Sequence, residues 1–387
     1  MKPHFLLITT SYPERSADGS EAAGSFVSDF AETLANQMRV TVLAPGTRER
    51  TDKFGNLTIS RFAGPGFPLS LLKPTNPAHW PAILRVLRRG SRRAEELASE
   101  NHVNHILALW ALPSGYWARQ ISRRHGIPYS VWALGSDIWT LGKLPMIRSI
   151  LGSVLRESKI CFADGYKLME DAEHIAGHRC HFLPSVRRLP VKKIVPPRDK
   201  PPYRFAYLGR WHPNKGIDIL LDALTLLTDE EWKKIEAFRI CGGGQLESLV
   251  TARQSALTAA GRPVQLGGYL DKSAAADLLA WTDYLVIPSR IESIPVIFSD
   301  ALQAGRPMIS TPVGDLPRLM QEHKVGLLAE ATSATAVADV IRHAMKESPS
   351  RFSENLANAR MQFSVQAACE RFLNLVRGVT PMKVAKK

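Results

Sequence analysis

The stretch Phe205-Ala206-Tyr207-Leu208-Gly209-Arg210-Trp211-His212-Pro213-Asn214-Lys215-Gly216-Ile217-Asp218 holds residue types that could do chemistry together. An apolar strand ends at Leu208 and a helix begins near Gly216, with a permissive glycine and two cations, Arg210 and Lys215, between them. A helix start leaves backbone N–H groups unpaired and carries partial positive charge, so flanking cations make it suited to a diphosphate. Arginine would meet that anion as a planar fork, lysine as a mobile point charge. The same two cations also fit a solvated loop. A second stretch, Val286-Ile287-Pro288-Ser289-Arg290-Ile291-Glu292-Ser293-Ile294-Pro295-Val296-Ile297-Phe298-Ser299-Asp300, passes from a buried strand through a loop into a helix starting near Pro295. Carboxylates accept hydrogen bonds, so Glu292 and Asp300 could hold the hydroxyls of a sugar ring and a ribose, while the N–H groups of Ile294 and Val296 lie at a helix start. Read without that ligand, Glu292 is a favourable charge at a helix N-terminus and Asp300 a solvated helix residue.

Taken together these motifs resemble the retaining glycosyltransferases of family 4, which have the GT-B fold. The resemblance rests on Gly209-Arg210 with Lys215-Gly216, then Pro288-Ser289, Glu292 and Pro295, with Asp300 as the second acid. Cys241-Gly242-Gly243-Gly244, Gly267-Gly268-Tyr269-Leu270 and Thr311-Pro312-Val313-Gly314-Asp315-Leu316-Pro317 add to it, with fainter echoes in Gly24-Ser25-Phe26-Val27, Leu112-Pro113-Ser114-Gly115 and Gly135-Ser136-Asp137. It implies that Arg210 and Lys215 stabilise a departing diphosphate, with Glu292 on the donor sugar, Asp300 on the ribose and the Gly268 region on the base. Gly24, Gly135, Asp137, Gly209, Gly243, Ile294 and Val296 complete the implied substrate-binding set. The Asp-x-Asp pair that often holds a metal in sugar transferases is absent from the sequence, so the expected site has no metal and no cofactor, only a nucleotide-diphosphate sugar as donor. Two positions depart from the family pattern. Leu134 stands where a histidine is common, and a leucine can donate neither a hydrogen bond nor a proton. Asp300 stands where a glutamate is usual and is shorter by one methylene.

These residues need a scaffold, and the apolar periodicity supplies one. Runs at Phe5–Ile8, Val40–Leu43, His105–Leu109, Tyr129–Ala133 and Ile160–Phe162 read as buried strands, with helical stretches such as Val27–Met38 and Tyr116–His125 between most of them. After a proline-rich, basic stretch the alternation resumes at Phe205–Leu208, Ala237–Cys241, Val264–Leu266, Tyr284–Ile287, Met308–Ser310 and Gly326–Leu328. The expected fold is α/β, with two doubly wound Rossmann-like domains facing across a cleft. The acceptor-side domain spans 1–185 and is joined by a C-terminal helix at 364–378. A linker covers 186–203, and the nucleotide-sugar-binding domain covers 204–363.

A length of 387 residues fits two cores, and 45% hydrophobic with 22% charged residues excludes disorder. The four cysteines are far apart and form no Cys-x-x-Cys pair, which argues against a disulfide framework or a zinc site and for a reducing compartment. The N-terminus reads as a buried strand, not a signal peptide, so the expected location is cytoplasmic. The net charge of +14 favours polyanionic partners. Between Lys53 and Ala94 there are eight Lys or Arg and no acid. There Trp80, Ile83, Leu84 and Leu87 fall on one side of a helix, with Arg85, Arg88, Arg89, Arg92 and Arg93 on the other, below an apolar loop at 67–72. Residues 67–93 therefore read either as a patch for an anionic membrane surface or as a helix packed on the sheet with solvated arginines. No nucleic-acid-binding signature accompanies the charge. The expected function is transfer of a sugar to a glycan or lipid-linked acceptor in surface-polysaccharide or glycolipid biosynthesis. The alternatives are a non-catalytic nucleotide- or acceptor-binding subunit and a nucleotide-sugar epimerase on the same scaffold.

Overall fold

The computed structural model describes residues 2–14, 22–65, 69, 72, 74–191 and 193–378. Two compact units emerge, one of residues up to Ser185 completed by the helix Val365–Arg377, the other of Val186–Ser364.

The first unit is built on eight strands, β1 (His4–Ile8), β2 (Arg39–Gly46), β3 (Arg50–Phe54), β4 (Leu57–Ala63), β5 (His105–Leu109), β6 (Tyr129–Ala133), β7 (Ile160–Ala163) and β8 (Cys180–Phe182). They lie in the order β3-β4-β2-β1-β5-β6-β7-β8, parallel except for the β3–β4 hairpin. β1, β5, β6 and β7 are buried at every position, as strands covered by helices on both faces must be. Helices Ala22–Ala35 and Val365–Arg377 cover one face, where Phe372 meets Phe5 and Phe30 at 5.9 and 5.6 Å between ring centroids. The C-terminal helix buries Val365, Ala368, Cys369, Phe372, Leu373 and Val376, the three-and-four spacing of one helical stripe. The other face carries Leu6, Ile8, Ile106 and Ala108 against Val86, Leu97, Trp117, Ile121, Leu151 and Leu155. β1 leads to β2 on one side and β5 leads to β6 on the other, so the strand order reverses between them, where open α/β sheets leave a crevice at the carboxyl ends.

The second unit has six parallel strands, β9 (Tyr203–Arg210), β10 (Ile235–Gly243), β11 (Val264–Gly267), β12 (Tyr284–Ile287), β13 (Met308–Ser310) and β14 (Gly326–Leu328). Their order is β11-β10-β9-β12-β13-β14, so the reversal falls between β9 and β12. Both informative loops of the sequence leave the sheet at that point.

The apolar runs located the central strands, and β5, β6, β12, β13 and β14 have the expected limits. β3, β4 and β8 were not expected. β3 is charged and mostly exposed, and β4 carries Arg61, which breaks its apolar run. That arginine is nevertheless buried, because its guanidinium donates to the carbonyls of Pro45 (2.9 Å) and Pro13 (2.6 Å). The stretch read as a linker is bound to the second unit. Arg187 pairs with Asp300, the Leu189 N–H donates to Gln303 Oε1 at 3.0 Å, and the Arg198 N–H donates to Asp283 Oδ1 at 2.8 Å. The basic helix runs from Trp80 to Glu100 and buries Val86, Gly90, Ala94, Leu97 and Ala98. Trp80 and Leu84 do not pack on the sheet as one reading required; they are 53% and 52% exposed. Of the loop at 67–72, all but residues 69 and 72 lies outside the described residues, as does the basic tail at 383–387.

Candidate functional site

β9 carries Gly209 and Arg210 to the edge of the sheet, where the Arg210 side chain is exposed and makes no ion pair among the described residues. Its carbonyl accepts the buried Tyr207 hydroxyl at 2.9 Å. Burial, and then the negative charge of Glu292, push the Tyr207 pKa up, so the phenol stays a neutral donor. The chain next makes the single turn Pro213–Lys215, closed by His212 Nδ1 accepting from the Asn214 N–H at 3.1 Å. Burial, followed by the charges of Arg210 and Lys215, lowers the His212 pKa, which records a positive potential over this loop.

Gly216 has φ +64, and a β-carbon there would sit 1.8 Å from the Pro288 carbonyl oxygen. Only glycine lets the turn after β9 close this far onto the turn after β12. Further bonds latch the two turns. The Arg290 N–H donates to the Asn214 carbonyl at 2.8 Å, and the Arg290 guanidinium pairs with Asp218 at 2.7 and 2.6 Å, holding that carboxyl below its usual range. As a result Lys215 Nζ meets Glu292 Oε1 at 2.5 Å, and the Ser289 hydroxyl donates to the same oxygen at 2.9 Å. The Glu292 side chain is 9% exposed and the Lys215 side chain 27%. A third turn, after β13, closes from the other side: Gly314 has φ +55, and a β-carbon would lie 2.1 Å from the Glu292 carbonyl oxygen.

Helix Val296–Ala304 starts beside this cluster with Pro295 as N-cap and no side-chain cap. The N–H groups of Ile294 and Val296 have no acceptor among the described residues. Gly243 packs under the ring of Tyr269, and Gly268 is open, with no atom within 4 Å of a built β-carbon. Trp211 is enclosed by this glycine loop; it accepts from the Leu246 N–H at 3.0 Å and donates to the Gly243 carbonyl at 2.8 Å.

Asp300 departs from expectation. It is neither solvated nor open to a ribose: it is fully buried, and Arg187 donates to both its oxygens, Nε at 3.1 and 2.9 Å and Nη2 at 2.6 Å. Asp137, in the first unit, is also turned inward. It is 1% exposed, and its oxygens accept from Ala111 N (2.6 Å), Leu134 N (3.3 Å) and Ile138 N (3.2 Å). Burial raises its pKa, against the pull of those N–H groups. Gly135 opens the short helix Ser136–Trp139, and Gly24 lies in the first turn of Ala22–Ala35, 3.0 Å (as a built β-carbon) from Pro13 Cδ. The structure thus gathers Arg210, Lys215, Glu292, Ile294 and Val296 at one edge of the second unit, with Gly209, Gly243 and Gly268 around the neighbouring turns. Gly24, Gly135 and Asp137 lie in the first unit. Sequence reasoning gave no role to Ser289, Tyr207, Arg187 or the Arg290–Asp218 latch; the only signal nearby was Gly216 and Gly314, glycines flanking the charged turns that pack together.

The chain aligns over 98% of its length, and 99% of the other, with sucrose-phosphate synthase from Thermosynechococcus elongatus, at 16% identity and a TM-score of 0.73. It covers 100% of Anabaena HepE in complex with UDP-glucose, with 97% of its own length, at 14% identity and a TM-score of 0.70. The fold is GT-B. Within this GT-B chain, residues 202–347 match the family model described as glycosyl transferases group 1, which spans β9 to the end of the helical segment after β14. A putative teichuronic acid biosynthesis glycosyltransferase, TuaC of Bacillus subtilis (strain 168), is 28% identical over 254 residues, 61% of the GT-B chain and 60% of TuaC. A D-inositol 3-phosphate glycosyltransferase of Corynebacterium glutamicum (strain R) is 30% identical over 156 residues, 38% of this chain and 36% of its own. The chain spans about 60% or less of the length of these two curated relatives.

Proposed function

We propose that this protein is a glycosyltransferase that moves a sugar from a nucleotide-diphosphate donor to a glycan or lipid-linked acceptor, with retention and without a metal, in surface-polysaccharide or glycolipid biosynthesis. The observation that carries the reading is the latch between the turns after β9 and β12, which sets Lys215 against Glu292 beside the open Arg210. Cleaving the bond between the anomeric carbon and the phosphate oxygen leaves the electron pair on the diphosphate. Arg210, Lys215 and the N–H groups of Ile294 and Val296 are the donors that would meet that charge; fixed donors at a developing anion are worth about 3–4 kcal/mol each. Glu292, oriented by Ser289 and Lys215, would accept hydroxyls of the donor sugar. The matched family, and the TuaC and inositol-phosphate relatives, support this reading.

The acceptor reading extends to a membrane. No helix among the described residues is long and apolar enough to cross one. The exposed Trp80 and Leu84, with Arg85, Arg88 and Arg89 around a cavity of about 380 Å³ that Leu84 also lines, favour a cytoplasmic protein held at an anionic surface. Leu134 motivates a second reading, a subunit that binds donor without turning it over.

The test is titration of the protein with UDP, GDP and ADP, followed by the matching nucleotide sugars and a nucleotide-release assay. One nucleotide should bind, and Arg210→Ala should weaken it roughly tenfold to a hundredfold, the loss of a charge-assisted contact, without lowering stability. Binding with no release on any acceptor selects the second reading. Equal affinity in Arg210→Ala removes the assigned site.

A further inference from the structure

We propose that the groove between helices Pro145–Glu157 and Tyr166–Ala176 of the first unit binds a phosphate monoester through Arg148, Ser149, Arg156 and His174. The proposal does not rest on the sugar-transfer reading and concerns a different part of the chain.

The helix from Trp80 carries only part of the positive charge in the sequence, and the helices before and after β7 carry another part. Where the acids of these two helices go decides what charge is left over. The single acid of Pro145–Glu157 is Glu157, and it is taken by Arg119 at 2.6 Å and by Arg123 at 2.7 Å. On Tyr166–Ala176, Lys167 meets Asp171 at 3.2 Å and Glu170 at 3.7 Å. Asp171 also accepts from the Trp139 indole at 2.8 Å, and Glu173 accepts the Cys180 N–H at 2.9 Å. Arg148, Arg156 and His174 therefore have no acid among the described residues. All three line one cavity of about 410 Å³, together with Ser149, Gly152 and Ile175.

The backbone draws the two guanidiniums together. Eight residues separate Arg148 from Arg156, about 12 Å along a helix axis. Gly152 lies midway and is buried, and a β-carbon there would sit 2.9 and 3.3 Å from Arg156 Nη1 and Nη2. The Arg156 guanidinium thus lies across its own helix at Gly152, one turn nearer Arg148, in a slot that the missing side chain opens. Like charges brought this close without an acid between them repel. A bound anion turns that repulsion into attraction.

His174 and Ile175 form the opposite wall, and Ser149 adds a hydroxyl donor. A planar carboxylate has two oxygens and is satisfied by one arginine fork. A phosphate monoester has three terminal oxygens and up to two charges, which suits donors arriving from both walls. The cavity lies within the range of small-molecule sites, about 300–1,000 Å³, so the ester's organic part also has room. Met146 and Ile150 of the same helix are 84% and 42% exposed. The same phosphate chemistry is therefore offered to a soluble ester and to the head group of a lipid whose chains lie against that apolar surface.

Calorimetry with glycerol 3-phosphate tests the site on the full chain, alongside sedimentation with phosphatidylcholine vesicles containing phosphatidic acid (a monoester) or phosphatidylglycerol (a diester). Arg148→Gln/Arg156→Gln removes both charges from exposed positions, His174→Ala removes the facing donor, and Arg210→Ala controls for anion binding in the second unit. Relative to wild type, glycerol 3-phosphate should bind roughly tenfold or more weakly to the double variant, about threefold more weakly to His174→Ala, and equally to Arg210→Ala. A loss confined to glycerol 3-phosphate identifies a soluble ester as the ligand. A loss on phosphatidic acid vesicles that exceeds the loss on phosphatidylglycerol vesicles identifies a lipid head group. Equal glycerol 3-phosphate affinity in wild type and double variant, with no vesicle loss specific to phosphatidic acid, overturns the proposal. So does a loss seen only in Arg210→Ala, which places the anion at the turn after β9. If circular dichroism shows the double variant unfolded, His174→Ala decides alone: wild-type affinity refutes the site, and weaker binding supports it.

Discussion

Replacing Gly216 by alanine perturbs the latch with one carbon. The new β-carbon starts 1.8 Å from the Pro288 oxygen, and contacts of this kind are essentially never below 3.0 Å, so the two turns must part by at least about 1.2 Å. Alanine at positive φ adds roughly 1 kcal/mol of strain. The displacement acts between Lys215 and Glu292, and misplacing reacting groups by about 1 Å costs on the order of a hundredfold in rate. Gly55, in the turn between β3 and β4, is the matched control: its φ is +60 and nothing lies within 4 Å of a built β-carbon. Gly55→Ala should lose only the strain, about 1 kcal/mol in urea unfolding, and keep full activity. Gly216→Ala should lose roughly 2–4 kcal/mol, strain plus forced repacking, together with about a hundredfold in nucleotide release from the donor sugar. If Gly216→Ala matches Gly55→Ala in both measurements, the turn after β9 does not position the site as argued.

Arg187→Ala removes the bidentate partner of the buried Asp300 carboxylate and should cost about 3–5 kcal/mol, with much of that recovered in Arg187→Met/Asp300→Asn, because breaking a buried pair costs more than replacing both its members; a double-mutant cycle in urea reads this directly. Burial lowers the His105 pKa from its ordinary 6.5 to about 3. The unfolded chain therefore binds the extra proton first: the stabilisation is complete above pH 6.5 and is lost as pH falls toward 3, by about 1.4 kcal/mol per pH unit. Between pH 7 and pH 5 the wild type should lose roughly 2 kcal/mol more than His105→Gln; equal losses would show that His105 is protonated in the fold. His4, whose pKa burial also lowers, adds a slope common to both proteins. Binding to vesicles containing phosphatidylglycerol should fall with salt and by at least tenfold in Arg85→Glu/Arg88→Glu, since each cation near such a surface contributes about 1 kcal/mol; unchanged sedimentation removes the membrane patch.

Much of the fold was legible because its signal is local. Central strands of a parallel sheet are buried on both faces, so they appear as unbroken apolar runs, and β5, β6 and β12 could be bounded to the residue. The two edge strands of the first sheet were not legible: β3 carries charge on an exposed edge, and β8 is a three-residue strand with only Cys180 fully buried. The linker was misread because prolines and cations describe a tether equally well whether or not carboxylates elsewhere in the chain, here Asp283 and Asp300, bind it down.

The sequence by itself determined which groups the second unit presents at the reversal of its sheet: Arg210, Lys215, Glu292 and the start of the helix at Val296 all sit at fixed offsets from strand ends, and strand ends are set by local hydrophobicity. What each acid does was decided only by tertiary structure. Glu292 and Asp300 look alike in sequence, yet one is held by the partly exposed Lys215 and by Ser289 while the other is buried against Arg187. A carboxylate's role depends on its charged and hydrogen-bonding neighbours, and these come from turns distant along the chain, so no local pattern specifies them.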